Sequence, residues 1–386
     1  MPLNRSFYNK LHSKPIVILL FLIALFGILI LLLIGSNLKN VFVPSNKNPS
    51  LVYAVFHEQF DEIYLSSPGK TNQPRLFTQI DRFTSHSVTP ANGVFKNKIA
   101  YIAIPMKSKE MTKLGTLWTI NLSTGQRTAL ATDADPTNPP QWLDGGDTLL
   151  YKRVKINQQE LITIDLKSRI KTIVLSESFG TPDDDKRFGG IYPVGQDASN
   201  NILFAKLTSS GTDILAVSRI SGHTLKLFRA SNEFARDFSL SPDKTQLSYL
   251  VAADNFERIN YQTAIYDLSH KNLLTYTSDS REQFSPRWIP NTDLLSVGQI
   301  DAKKQSGAII LLSETSSATL PPPAQGFDVP ISWSASGRFV SIKNYSGMSG
   351  LHPGASSLLI IDRSLETRTL LESESEAMVF GWWSND

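Results

Sequence analysis

One β-rich unit returns seven times along this chain, and that recurrence constrains the fold more than any other feature. Its most legible strand reads LVYAV from Leu51, IAYIAI from Ile99, LLYKRV from Leu149, ILFAKL from Ile202, LSYLVA from Leu247, LLSVGQ from Leu294 and FVSIKN from Phe339. Aligned on Tyr53, Tyr101, Tyr151, Phe204, Tyr249, Val297 and Ile342, the units stand 45 to 53 residues apart. Two further strand types follow in each unit, as in LITIDLKSR and then KTIVLS. A fourth precedes them and runs into a tight turn: NPPQWLDGGD, FSLSPDKT, FSPRWIPNTD and ISWSASGR. Gly, Pro, Asn, Asp and Ser punctuate these runs, and no later stretch carries a 3.6-residue apolar period of helical length. Four short strands in a period of this size point to a β-propeller. A four-stranded sheet cannot bury both faces alone, so such sheets stack around an axis and bury one another. The expectation is an all-β, seven-bladed propeller of antiparallel blades over residues 51–386. Six or eight blades stay open, because the fourth unit, IYPVGQDASNN, is blurred.

The first unit lacks the preceding strand, while the chain ends on a spare one, AMVFGWW. The carboxy-terminal strand is therefore expected to complete the first blade, which would remove two open sheet edges. Trp142, Trp288, Trp333 and Trp382 recur at one point of this strand type and are expected to pack between blades, since aromatics carry much of core burial.

Ahead of the repeat, Ile16 to Ile34 is a run of 19 apolar residues. As a helix it spans about 28 Å, close to the hydrocarbon thickness of a bilayer, and is longer than the apolar region of a cleaved signal. Arg5, Lys10 and Lys14 precede it without an acid, which places the amino terminus in the cytoplasm. The expected organisation is a basic cytoplasmic tail (1–14), a transmembrane helix (15–36), a linker (37–50) and an extracytoplasmic propeller. Lys and Arg number 38 against 35 Asp and Glu, and four of the bases precede residue 40. The propeller itself is thus near neutral, and no nucleic-acid partner is expected.

The run from Phe238 to Tyr249, FSLSPDKTQLSY, resembles the TolB-type, WD-like propeller repeat, whose units carry W-S-P-D-G-x-x-[IL]-x-[FY]. Ile331 to Val340, ISWSASGRFV, is a second match and Pro286 to Leu295 a looser third. The resemblance covers most of residues 50–386 and implies a protein-binding platform. TolB proteins also carry an α/β domain ahead of the propeller and a cleaved signal, which this sequence is expected to lack. Serine oligopeptidases that share such propellers need a separate hydrolase domain, and no G-x-S-x-G occurs here.

Few residues offer chemistry. With no cysteine, disulfides and thiolate sites are excluded. The six histidines show no metal-ligand spacing, and Asp183-Asp184-Asp185 lacks the alternation of a calcium loop. No cofactor and no metal are expected. The rival reading is an envelope glycan hydrolase or lyase using loop acids among Asp133, Asp135, Asp183, Asp184, Asp185 and Asp328, since two carboxylates suffice for such chemistry.

Strand reversal distributes the loops. The connections between second and third strands, and between one unit and the next, share a face. They include Met106–Leu114, Ala252–Tyr261, Gln299–Ser306, Tyr345–Ser356, Ser176–Gly190, Ser278–Ser285 and Pro321–Pro330. Long loops on a rigid scaffold are where recognition usually resides. That face is expected to present Arg187, Phe188, Phe234, Arg236, Phe256, Arg258, Tyr261, Arg281, Phe284, Phe327, Asp328, Tyr345 and His352, since aromatic and Arg side chains anchor interfaces. The expected function is a membrane-anchored, non-catalytic binding or scaffolding module at the cell envelope. Its partner would be an envelope or membrane protein, with a glycan or peptide as ligand; a regulatory subunit of a separate membrane enzyme is a further reading.

Overall fold

The computed structural model describes residues 49–57, 60–68, 74–81, 88–104, 114–178, 189–252, 261–274, 281–301, 306–313, 317–373 and 376–384. The expected tail, the Ile16–Ile34 run and most of the linker lie outside them. Among the described residues no helix is long and apolar enough to cross a membrane.

Strands follow the repeat. β1 (Ser50–Phe56), β2 (Phe60–Ser66) and β3 (Arg75–Asp81) form the first meander, and β4 (Thr89–Pro90), β5 (Lys98–Ala103), β6 (Gly115–Asn121) and β7 (Arg127–Ala134) the second. The third comprises β8 (Gln141–Leu143), β9 (Thr148–Val154), β10 (Gln158–Asp165) and β11 (Lys171–Ser178). The fourth comprises β12 (Gly190–Gln196), β13 (Ile202–Thr208), β14 (Gly211–Val217) and β15 (Thr224–Ser231). Then come β16 (Ala235–Leu240), β17 (Gln246–Ala252), β18 (Tyr261–Asp267) and β19 (Asn272–Leu274). β20 (Glu282–Trp288), β21 (Leu295–Asp301), β22 (Ser306–Leu312) and β23 (Ser317–Thr319) form a further meander. Another consists of β24 (Gly326–Trp333), β25 (Phe339–Tyr345), β26 (Ser356–Asp362) and β27 (Thr367–Glu372). These last two join into one eight-stranded sheet through a short parallel pairing of β22 with β24, Ser306 against Gly326 and Gly307 against Phe327.

β28 (Ala377–Trp383) does not extend its neighbour in sequence. It pairs antiparallel with β1, with Leu51 opposite Trp382, and completes a sheet of order β28-β1-β2-β3. The ends of the repeat array are thus held in one sheet, as its missing first strand implies.

Burial explains why the second strand of each unit is the easiest to read. Covered on both faces, it reads as a nearly continuous apolar run, while the fourth strand, as in β11, is mostly exposed. The repeat anchors Tyr53, Tyr101, Tyr151, Phe204, Tyr249, Val297 and Ile342 are all buried. Cores form between consecutive sheets, and one joins the last meander to the first, where Phe339, Leu358 and Ile360 meet Leu51, Tyr53 and Trp382.

The tryptophans pack between sheets and also bond across them. Trp142 Nε1 donates to the Gly93 carbonyl at 3.1 Å, Trp288 Nε1 to that of Ser239 at 3.0 Å and Trp382 Nε1 to that of Ser332 at 3.0 Å. The hydroxyls of Ser248 and Ser341 donate to the same Ser239 and Ser332 carbonyls. Trp333 Nε1 instead donates to Ser296 Oγ at 2.8 Å, whose hydroxyl donates to the Arg287 carbonyl.

The second-to-third-strand connections differ in length as the sequence leads one to expect. Only three residues separate β9 from β10 and two separate β13 from β14. The longer second-to-third-strand connections are those after β5, β17, β21 and β25.

Candidate functional site: an aromatic and arginine-lined pair of cavities

A cavity of about 360 Å³ opens beside β16, β18, β20, β24 and the loop after β25. Phe327 stacks between two rings, 5.1 Å from Phe284 and 5.2 Å from Tyr345 by centroid. Opposite them the Arg236 guanidinium lies 3.8 Å above the Tyr261 ring, an arrangement in which the ring's quadrupole attracts the cation. Glycines set this geometry. A Cβ on Gly307 would sit 2.7 Å from Phe327 Cβ, so only a bare backbone lets β24 approach β22 and present Phe327. A Cβ on Gly350 would fall 2.6 Å from Glu282 Oε1 and 2.8 Å from Phe284, so the loop after β25 can close over both residues only there.

Glu282 and Asp237 are the carboxyls of this cavity, and Glu282 is the one the loop after β25 covers. It accepts the Gly350 backbone N–H at 3.2 Å. Burial raises its pKa above the usual carboxylate range, against the opposing pull of the Gly350 N–H and Arg236. Burial likewise raises the Tyr345 hydroxyl.

A second cavity, of about 320 Å³, shares Arg236 and Asp237 with the first. Residues from β8, β12, β16 and β20 line it, the opening strands of four successive meanders, so it lies where those sheets converge. Arg287 projects into it. Its Nη1 donates to the Pro286 carbonyl at 2.9 Å and its Nε to that of Ile331 at 3.2 Å. Among the described residues no carboxylate lies within ion-pair distance of this guanidinium. Burial lowers its pKa, partly offset by the charge of Asp237.

Of the residues expected on the recognition face, Arg236, Tyr261, Phe284, Phe327 and Tyr345 come together in the first cavity. Phe234 lines the second. Arg281 and His352 are exposed and line neither cavity. Asp328 is not at the surface: it is fully buried, and Arg368 donates to its two oxygens at 2.6 and 2.9 Å. A buried carboxylate needs such a partner, and that demand draws it inward. Arg187, Phe188, Phe256 and Arg258 lie outside the described residues, as do Asp183, Asp184 and Asp185.

The remaining loop acids are also engaged. Asp133 pairs with Arg153 at 2.7 Å and accepts the Tyr151 hydroxyl at 3.2 Å. Asp135 is buried, accepts from Thr137 and Asn138, and lies 3.4 Å from Lys152 Nζ. Among the described residues no group of three His, Asp or Glu could hold a metal ion.

Sequence reasoning missed Glu282, Asp237 and Arg287. A signal for Arg287 was present in the repeat. Its register partner is Ser296, just as Ser239 faces Ser248 and Ser332 faces Ser341, so an arginine occupies a position that the adjoining units give to serine.

Comparison with known proteins bears on the fold. No family model matches the sequence, and no curated protein does. Among solved structures, the β-propeller domain of the Trilobed protease from Pyrococcus furiosus is 13% identical, with a TM-score of 0.54 over 85% of this chain and 97% of that one. An oligogalacturonate lyase from Vibrio parahaemolyticus is 9% identical, with a TM-score of 0.55 over 82% of this chain and 85% of that one. TolB from Acinetobacter baumannii is 16% identical and more loosely superposed, at a TM-score of 0.48 over 87% of this chain; the chain spans 66% of that structure. The likeness to the first two, together with the sheet order, shows a β-propeller fold. The Trilobed protease domain has an open velcro topology. Here the velcro is closed by β28 on β1.

Proposed function

We propose that the chain is a membrane-anchored, extracytoplasmic propeller of seven blades that binds an envelope or membrane protein through the face bearing the aromatic cavity, without catalysis. The blade count is supported by five four-stranded sheets and an eight-stranded sheet made of two meanders. The Ile16–Ile34 run and the bases before it support the anchor and its orientation. A tether holding the propeller near the membrane raises its effective concentration for a partner there.

One observation carries the binding reading. Arg236, Tyr261, Phe284, Phe327 and Tyr345 line a single cavity, and these are the residue types that dominate protein interfaces. The acids Asp133, Asp135 and Asp328 are meanwhile neutralised by their own basic partners. Affinity capture of the full-length chain from detergent-solubilised membranes, beside a Tyr261→Ala/Tyr345→Ala variant, tests it. A stoichiometric companion protein that disappears with the double variant is the expected result. No companion, or equal recovery with both forms, contradicts the reading.

One observation favours the enzyme alternative. Glu282 is a carboxyl with a raised pKa in an aromatic cavity, the condition of a general acid in glycan cleavage. Turnover of envelope glycans that Glu282→Gln abolishes would shift the assignment to it.

A further inference from the structure

We propose that the second cavity, where β8, β12, β16 and β20 converge, holds the terminal carboxylate of a peptide chain on the Arg287 guanidinium. The proposal rests on the binding-module reading but concerns a different cavity and a defined chemical group. Charge comes first. The wall carries Arg236, Arg287 and one acid, Asp237. Asp237 Oδ2 lies 3.7 Å from Arg236 Nε, which leaves Arg287 with backbone carbonyls alone. Those two bonds use two of the five N–H donors that a guanidinium presents in a planar fork. An enclosed cation without a counter-ion is costly, and a carboxylate matches the remaining donors in a bidentate pair.

The walls choose between carboxylates. Pro139, Pro193, Val194, Ala235 and Phe238 give the cavity apolar walls, and Thr137, Asn138, Gln141 and Tyr192 give it polar groups. An acid sugar would bring a ring of hydroxyls against the apolar walls as well as the polar groups, and each hydroxyl buried without a partner is unfavourable. A carboxy-terminal residue brings both kinds of group, an apolar side chain for the walls and a backbone amide for the polar side chains. The opening strands hold the site rigidly, because Ser239 and Ser332 beside it are tied by tryptophan and serine hydrogen bonds.

The test is calorimetric titration of the full-length chain in detergent with the peptide N-acetyl-Gly-Ser-Leu, as free acid and as carboxamide, and with glucuronate. The free acid is expected to bind about tenfold or more tightly than the amide, the ratio of a charge-assisted bond to a neutral one. Arg287→Gln should remove that preference, and Arg219→Gln, an outer arginine bound to Asp144, should retain it. Should Arg287→Gln fail to fold by circular dichroism, the acid-over-amide ratio in the unaltered chain still decides. Equal affinity for acid and amide, no binding of either, or tighter binding of glucuronate overturns the proposal. Loss of this site with membrane capture intact would remove the inference and leave the binding-module reading standing.

Discussion

Asp328 on β24 has no exposed surface and is held by Arg368 and by Asn344 Nδ2 at 3.0 Å. Truncating one member of a buried pair leaves the other charge uncompensated, so Arg368→Ala is expected to cost about 3–5 kcal/mol in urea denaturation. A loss below about 1 kcal/mol would mean that the pair is solvated. Glu282 makes a prediction of the opposite kind. Burial raises its folded-state pKa above the unfolded value, so its contribution is fully present below the unfolded pKa near 4.5 and is lost as pH rises through the folded value. Relative to Glu282→Gln, the unaltered chain should lose stability across that rise, measured as denaturation midpoints against pH. Parallel profiles would refute the burial. Charged residues are the least legible part of the sequence for this reason. Asp328 and Glu282 look alike in a loop-rich stretch, and only the three-dimensional neighbours separate a carboxylate tied to Arg368 from one left beside Arg236.

Strands and their joints are more legible. A side chain needed at the same place in every blade must recur, and Tyr53, Tyr101, Tyr151 and Tyr249 announce the buried second strand by recurring. The recurring tryptophans announce inter-blade packing, while their hydrogen bonds to a neighbouring blade depend on how the sheets stack, which no local pattern encodes. Trp382→Phe keeps the ring and deletes the donor to Ser332, for which about 1 kcal/mol is expected. Trp382→Ala also opens a cavity and should cost about 3–5 kcal/mol, both read as denaturation free energies. Equal losses in the two variants would show that the indole bond carries the joint instead. Loop lengths are legible as well. The third and fourth units have links of three and two residues, and the longer connections after β5, β17, β21 and β25 are the ones the sequence marks. Which of these loops borders a cavity is not legible in their lengths: the first cavity forms among Arg236, Tyr261 and Tyr345, beside the loop after β25.

Across the whole molecule, closure is the defining feature: β28 and β1 tie the two ends of the repeat array into one sheet. A spare strand at one end of the repeat and a missing one at the other make this closure readable from the amino acids alone. The absence of cysteine allows it to be tested in an otherwise unreactive chain. Ser50 and Trp383 are register partners across β28 and β1, at a separation that a disulfide can bridge, whereas Met378 pairs with Ala54, farther along the ladder. The decisive measurement is oxidation of a Ser50→Cys/Trp383→Cys variant followed by non-reducing electrophoresis, beside Ser50→Cys/Met378→Cys. A closed propeller predicts near-complete intramolecular cross-linking of the first pair, seen as a compact monomer band, and little of the second. Links between chains only, or equal yields from both pairs, would contradict closure.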